Sequence, residues 1–333
     1  MEVEVDLTIL QPRVEFLLIA VALDLVFGDP VYALHPIRLM GRTLTAFEKM
    51  LRALRLDGYV GGCLLFLLLA SLWVGLLSFA AIGLSSLHPL AGQVFHLFTL
   101  YSMIALGDLF KHGRDVNKAV RLGHLEQARI AVAKLVGRDT DKMDGPACRR
   151  AAIESLAESL VDGFASPVLF YALGGLPSIV AFKVISTMDS MVGYKTERYQ
   201  RFGWCGARLD DLMNFFPARL SWVLITAVAA VVPGCSATKT WRIGWTQHST
   251  IPGPNAGWPE ASLAGALQRR LIGPVWLRGS LVTNVWIGDP SDPEAGSEED
   301  YRRACLIVAA AAGLFVLLAA IGCLYLTPDA APS

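Results

Sequence analysis

Three carboxylates in RRAAIESLAESLVDG, residues 149–163, recur at every fourth position: Glu154, Glu158 and Asp162. On a helix that spacing places all three on one face. Like charges four apart destabilise a helix unless something cationic meets them, and Ala and Leu fill most of the positions between. A bound metal ion or a cationic substrate resolves the conflict; a solvated face beside a membrane is the plainer reading. A second set lies in RLDDLMNFFPARL, where Asp210, Asp211 and Asn214 offer hard oxygen ligands on one stretch of helix. Mg²⁺ takes one or two carboxylates plus phosphate oxygens, an arrangement that D-D-x-x-N suits. Asp189 in TMDSMVG is a further oxygen donor, or else a helix cap or a partner for Lys195.

Cations run along the same segment as Lys195, Arg198, Arg201 and Arg208, with Arg219 beyond them. Arg198 and Arg201 are three apart and share a helix face, which suits bidentate capture of carboxylate or phosphate. Snorkelling of long basic side chains at a membrane interface is the simpler account. Tyr194 and Tyr199 add rings for stacking or hydrogen bonding. Upstream, in DLVFGDPVYALHPIRLMGR, Gly28-Asp29-Pro30 and His35-Pro36 are turn signals. They bring Asp29, His35, Arg38 and Arg42 close to a bilayer surface, although His35 also fits a purely structural role. Downstream, IPGPNAGWPEASLAGALQRRL is a Pro/Gly loop leading into a helix, with Trp258 and Pro259 in its first turn. The free N–H groups of such a turn suit an anion. The sequence holds no G-x-x-x-x-G-K followed by Ser or Thr, no G-x-G-x-x-G after a strand, no H-E-x-x-H and no G-x-S-x-G.

The elements that must carry these residues are apolar helices. Of 333 residues 54% are hydrophobic and only 17% charged, against about 25% charged in soluble domains. Mean hydropathy is +0.48. The formal net charge is zero, which gives no ground for a nucleic-acid partner. The six cysteines form no C-x-x-C pair and no disulfide framework. The opening MEVEVDLTILQPR is acidic where a secretory signal needs basic residues, and TPDAAPS reads as a short disordered tail.

A bilayer crossing needs about 20 apolar residues. Residues 58–107 contain no Asp, Glu, Lys or Arg, enough for two spans with a turn at SSLHP. The composition therefore predicts spans near 14–28, 59–84, 89–107 and 304–326. Residues 163–182 and 221–238 are also free of charge, but Pro167, Gly174, Gly175, Pro177 and Pro233 favour tilted, broken or re-entrant helices there. Lys and Arg concentrate in 29–58, 111–162 and 239–303, which makes those helical regions cytoplasmic. Full crossing by both flanking segments would put the charged stretch 186–219 outside. Re-entrance keeps it near the cytoplasmic face. The fold expected is one all-α, polytopic membrane-embedded catalytic domain over 1–333, with broken or re-entrant helices around its site.

Taken in order, DLVFGDPVYALHPIRLMGR, VGRDT, RRAAIESLAESLVDGFASPVLFYALGG, STMDSMVGYKTERYQRFGWCGARLDDLMNFFPARL and GWPEASLAGAL resemble the CobD/CbiB family of cobalamin biosynthesis membrane proteins, the adenosylcobinamide-phosphate synthases. The resemblance covers nearly the whole chain. It departs at Ser159, where the family often has Asn, and at Ser186-Thr187-Met188-Asp189, where it often has Asn-Thr-Leu-Asp. The resemblance implies an amide-forming ligase in the cell membrane. It would join the free propionate of adenosylcobyric acid, a cobalt-containing corrinoid, to (R)-1-amino-2-propanol or its O-phosphate, with ATP and Mg²⁺. Other corrinoid-pathway membrane enzymes are partners consistent with that role. Set against that chemistry, Asp189, Asp210 and Asp211 are the expected metal ligands, supported by Asn214. Lys195, Arg198, Arg201 and Arg208 are expected to hold phosphates or the propionate. Glu154 or Glu158 is expected to bind the ammonium and act as base. Asp29, His35, Arg38, Asp162, Tyr194, Tyr199, Arg219 and Trp258 complete the expected substrate site. Two rival readings stay open. An intramembrane prenyltransferase would need a second Asp-rich motif, and only one is visible. A transporter or sensor would need an inverted repeat, and none is evident.

Overall fold

The computed structural model describes residues 7–29, 32 and 34–326. The acidic residues of the N-terminus before Leu7, Pro30 of the expected turn, and the TPDAAPS tail lie outside the described residues. A 3₁₀ turn, Leu7–Leu10, precedes α1 (Val14–Phe27), α2 (Pro36–Ala53), α3 (Tyr59–Leu87) and α4 (Pro89–Tyr101). Next come α5 (Leu106–Arg121), α6 (Leu125–Val132) and α7 (Gly145–Ser159). A π-helical turn, Leu160–Ala165, leads into α8 (Ser166–Val192), followed by α9 (Trp204–Met213) and α10 (Phe215–Val231). The chain closes with α11 (Ala237–Gln247), α12 (Gly257–Leu267), a hairpin of β1 (Leu271–Leu277) and β2 (Ser280–Ile287), and α13 (Glu298–Leu326).

The protein is an all-α polytopic membrane protein. Among the described residues five helical stretches are long and apolar enough to cross a bilayer: Tyr59–Leu87, Pro89–Arg121, Gly145–Val192, Trp204–Val231 and Glu298–Tyr325. With 29 residues, α3 is about 44 Å long at 1.5 Å per residue. By contrast α1, which forms over the first expected span, has 14 residues and reaches only about 21 Å, short of the hydrocarbon core. The sequence reading treats the chain as one domain; the structure packs it as two compact units. One comprises Met1–Ala105, Ser166–Met213 and Phe315–Ser333, the other Leu106–Ala165 and Asn214–Leu314.

In the first unit, α2 is amphipathic and buries Met40, Leu44, Glu48 and Leu51, positions that fall on one stripe of a helix. The long α8 is broken, as its Gly and Pro content leads one to expect. Gly174 and Gly175 leave helical geometry, Gly175 with φ +62°, and Pro177 follows inside the helix. A Cβ on Gly175 would lie 2.0 Å from the carbonyl oxygen of Leu10, so only glycine admits the crossing of the N-terminal segment there. Tyr171, in the half of α8 before the break, receives the Arg13 N–H at 3.0 Å, and its hydroxyl meets His96 Nε2 at 3.0 Å.

In the second unit, the hairpin replaces the helix expected within 239–303. Its strands are rich in β-branched and aromatic residues, and its two turn residues, Arg278 (φ 52°) and Gly279 (φ 78°), adopt the left-handed geometry that two-residue hairpins require. Asp144 caps α7 by accepting the Ala147 N–H at 2.8 Å, with Pro in the first turn.

Candidate active site

The second unit gathers buried charge around α7. Arg138 and Glu154 form an ion pair, and the other Glu154 oxygen accepts the backbone N–H of Ile272 in β1 at 2.8 Å. Both oxygens of Glu154 are therefore engaged. The loop that carries Arg138 is pinned to the hairpin by its neighbour: the Asp139 N–H donates to the Trp276 carbonyl at 2.8 Å, and Asp139 Oδ2 accepts the Gly279 N–H at 2.7 Å. One helical turn before Glu154, Arg150 is also buried. It donates to the carbonyls of Ile272 and Ala295, each at 3.2 Å, pairs with Glu294 at 3.4 Å, and sets its guanidinium 4.8 Å from the Trp286 ring.

Against this frame lies the first turn of α12. Gly257 packs so closely on the end of α11 that a Cβ would meet the His248 carbonyl oxygen at 1.8 Å. That approach stacks Trp258 on the His248 ring, with centroids 3.8 Å apart and planes 14° apart. Arg219 of α10 reaches the same corner, with its guanidinium 5.1 Å from the Trp258 ring and Nη1 donating to Asn255 Oδ1 at 3.3 Å. Trp258, Trp222, Ala218 and Val161 share one buried cluster, so α10, α12 and the π turn meet there.

Two residues after Trp258 comes Glu260, only 6% exposed. Burial pushes its carboxyl well above the usual range; the charges of Glu154 and Glu158 push the same way, and Arg138 opposes them. Glu158 itself is exposed. Three buried polar atoms of this group have no hydrogen-bond partner among the described residues: Arg138 Nε, Trp258 Nε1 and Glu260 Oε2. Leaving each unpaired costs about 1–3 kcal/mol. Two donors and one acceptor left open in this way suit a ligand with both a cationic N–H group and oxygen acceptors. Asp162 sits in the π turn, a distortion that often marks functional positions.

Of the expected residues, Glu154, Glu158, Asp162, Arg219 and Trp258 belong to this unit, as does Asn214. The others, Asp29, His35, Arg38, Asp189, Tyr194, Lys195, Arg198, Tyr199, Arg201, Arg208, Asp210 and Asp211, belong to the first unit. There His35 Nε2 lies 2.7 Å from Asp29 Oδ1 at the start of α2, and Arg38 is exposed. Arg198 is tied to α2: its guanidinium meets the buried Glu48 at 3.0 Å, Arg52 holds Glu48 at 2.8 Å, and Arg52 also donates to the Arg198 carbonyl at 3.1 Å. Tyr194 and Tyr199 face each other at 6.5 Å. Lys195 and Arg201 are exposed.

Asp189 and Asp211 lie close enough for the charge of one to act on the other, and Arg208 reaches Asp211 Oδ2 at 3.3 Å. Asn214 is buried in the turn after α9, so the helix that carries Asp210 and Asp211 ends at Met213. Among the described residues no three or more His, Cys, Asp or Glu side chains converge as a metal cage. Two carboxylates within electrostatic reach of each other nevertheless match what Mg²⁺ asks of a protein when phosphate and water supply the rest.

Glu260 and Arg138 were not singled out from sequence. An acid in a helix's first turn reads as an ordinary dipole partner. Only its placement beside Glu154 and Glu158 sets Glu260 apart.

A family model described as CobD/Cbib protein matches residues 17–308. The chain belongs to the CobD/CbiB family. A relative from Geobacter metallireducens named cobalamin biosynthesis protein CobD is 41% identical over 304 residues, 91% of this chain and 95% of the relative. One of the same name from Citrobacter koseri is 36% identical over 316 residues, 92% and 96% of the two chains. A Salmonella arizonae relative, named cobalamin biosynthesis protein CbiB, is 36% identical over 279 residues, 81% and 86% of the two chains. The family match takes in every expected site residue. No solved structure matches this chain.

Proposed function

We propose that this chain forms an amide bond in cobalamin biosynthesis, joining the free propionate of adenosylcobyric acid to (R)-1-amino-2-propanol or its O-phosphate. Family membership, with relatives named for cobalamin biosynthesis along nearly their whole length, is the observation that carries this reading.

The chemistry sets two demands. A carboxylate is a poor acyl donor and needs activation; ATP, when bound, would supply it, and its phosphates must be held by cations. Asp189, Asp210 and Asp211 are the proposed Mg²⁺ holders; when bound, the ion would neutralise phosphate charge as it develops. Lys195, Arg201 and Arg208 are the proposed phosphate and propionate holders, while Arg198 spends its charge on Glu48. The second demand is an amine that arrives as ammonium and must lose a proton. Exposed Glu158 receives the ammonium, and Glu154 keeps Arg138 in place beside it. Trp258 and Arg219 line the same corner.

The Lys and Arg distribution supports an inner-membrane protein with its site facing the cytoplasm. Cysteine labelling at Tyr199 and Ser85 in intact cells tests that side: an externally labelled Tyr199 position removes it. The reaction is tested by incubating purified protein with adenosylcobyric acid, either amine and Mg-ATP, with mass-spectrometric detection of the corrinoid. The amidated product is expected, and its absence with both amines overturns the reading.

A further inference from the structure

Among the carboxyls gathered around α7, the amide-forming reading leaves Glu260 without a duty. Glu260 is 6% exposed, and its Oε2 has no partner among the described residues. The charged groups that act on it are Glu154 and Glu158 from α7 and Arg138 from the preceding loop. Glu154 is held at one oxygen by Arg138 and at the other by the Ile272 N–H, and both contacts favour its charged form. Glu158 lies at the surface of the unit, which suits reception of a cation more than storage of a proton. Glu260 is the one carboxyl of the three that is both shielded from solvent and unengaged at an oxygen. A base in that setting keeps its proton from exchanging freely with water while the neutral amine is used. The unpartnered N–H groups of Arg138 and Trp258 offer sites for an oxygen of the same ligand.

We infer that Glu260 is the catalytic base of the amidation, taking the proton that the substrate ammonium must lose before its nitrogen attacks. One N–H bond of the ammonium breaks, its electron pair stays on nitrogen, and an O–H bond forms on the Glu260 carboxylate. The cation becomes a neutral amine and the carboxylate a neutral acid. This inference rests on the amide-forming reading, since another reaction would present no ammonium to deprotonate.

The test uses the full-length protein in detergent with adenosylcobyric acid and Mg-ATP saturating and (R)-1-amino-2-propanol O-phosphate varied, across acid to alkaline pH. Glu260→Gln is expected to lower kcat on the order of 100- to 10,000-fold, with little change in the amine KM and with loss of the acid limb of the kcat/KM profile. Glu260→Asp is expected to restore part of the rate with a displaced limb, whereas Glu158→Gln raises the amine KM. Wild-type rate and an unaltered limb in Glu260→Gln overturn the assignment. Should that variant fail to insert, the wild type decides with amines of lower basicity. A limb fixed by Glu260 stays put, and one that tracks the amine's own basicity overturns it. Wild type that makes no amide removes the reaction and the base together; wild type that makes it alongside a fully active Glu260→Gln removes the base alone.

Discussion

Glu154 accepts the backbone N–H of Ile272 at 2.8 Å across 118 residues of sequence, and this bond joins the Arg150 contact to the Ile272 carbonyl in fastening the hairpin to α7, while Arg138 takes the carboxylate's other oxygen. The pair is buried, with side chains 13% and 8% exposed. Removing one partner of such a pair strands the other charge and costs about 3–5 kcal/mol. Glu154→Ala should therefore lower the thermal midpoint in detergent well below that of Glu158→Ala, which exposes no orphaned charge. Equal midpoints for the two variants would deny Glu154 its anchoring role.

Glu260 gives stability a pH dependence of unusual sign for an acid. Its folded-state pKa is raised, chiefly by burial, so the folded protein keeps a proton that the unfolded chain releases above about pH 4.3. This contribution is full below that value and fades as pH climbs towards the folded pKa. Wild type should lose more thermal stability between mildly acidic and alkaline pH than Glu260→Gln, whose amide does not titrate. Parallel curves for the two proteins would contradict the shift.

The Trp258–His248 stack, at 3.8 Å, carries its own expectation. Trp258→Ala should cost about 3–5 kcal/mol, as for other buried large aromatics. A double-mutant cycle with His248→Ala should return a coupling of about 0.5–1.5 kcal/mol. The check is thermal unfolding of all four proteins in one detergent; a coupling indistinguishable from zero removes the stack as a stabilising contact.

Gly175 admits no side chain. With φ at +62° and a Cβ position 2.0 Å from the Leu10 carbonyl, Gly175→Ala should destabilise by more than about 1 kcal/mol and reduce the yield of inserted protein. Gly83, where a Cβ meets nothing within 4 Å, is the comparison site. Similar yields for alanine at both positions would show that the N-terminal segment does not cross there.

Asp211→Ala should abolish corrinoid amidation while leaving the protein inserted in membranes, because the proposed Mg²⁺ site loses one of its carboxylates. Activity and membrane fractionation measured together decide this, and near-normal turnover removes the metal assignment.

The helical framework was legible because it depends on local composition. The uncharged run 58–107 became α3 and α4, and Gly174, Gly175 and Pro177 marked the break in α8. LIGPVWL and SLVTNVWI flank Arg-Gly in the manner of two strands, a signal that the charged surroundings mask. Relationships across long sequence separations were beyond reach. Nothing local in Arg198 announces Glu48, 150 residues away, and nothing local in Glu260 announces Glu154 and Glu158. An i, i+4 rule finds carboxylates on one helix, but it cannot find the one that a second helix brings to them.

The corner occupied by Trp258 has a spectroscopic consequence. Four of the protein's eight tryptophans, Trp222, Trp241, Trp245 and Trp258, lie in one chain of ring contacts with neighbouring centroids 3.9 to 6.0 Å apart. At such separations excitation passes readily from indole to indole, so ultraviolet emission is weighted towards this one face. A corrinoid absorbs strongly through the near ultraviolet and visible, and one bound here would quench that emission. The native chain thus carries its own optical reporter beside Glu260, and occupancy of this corner is readable without a label.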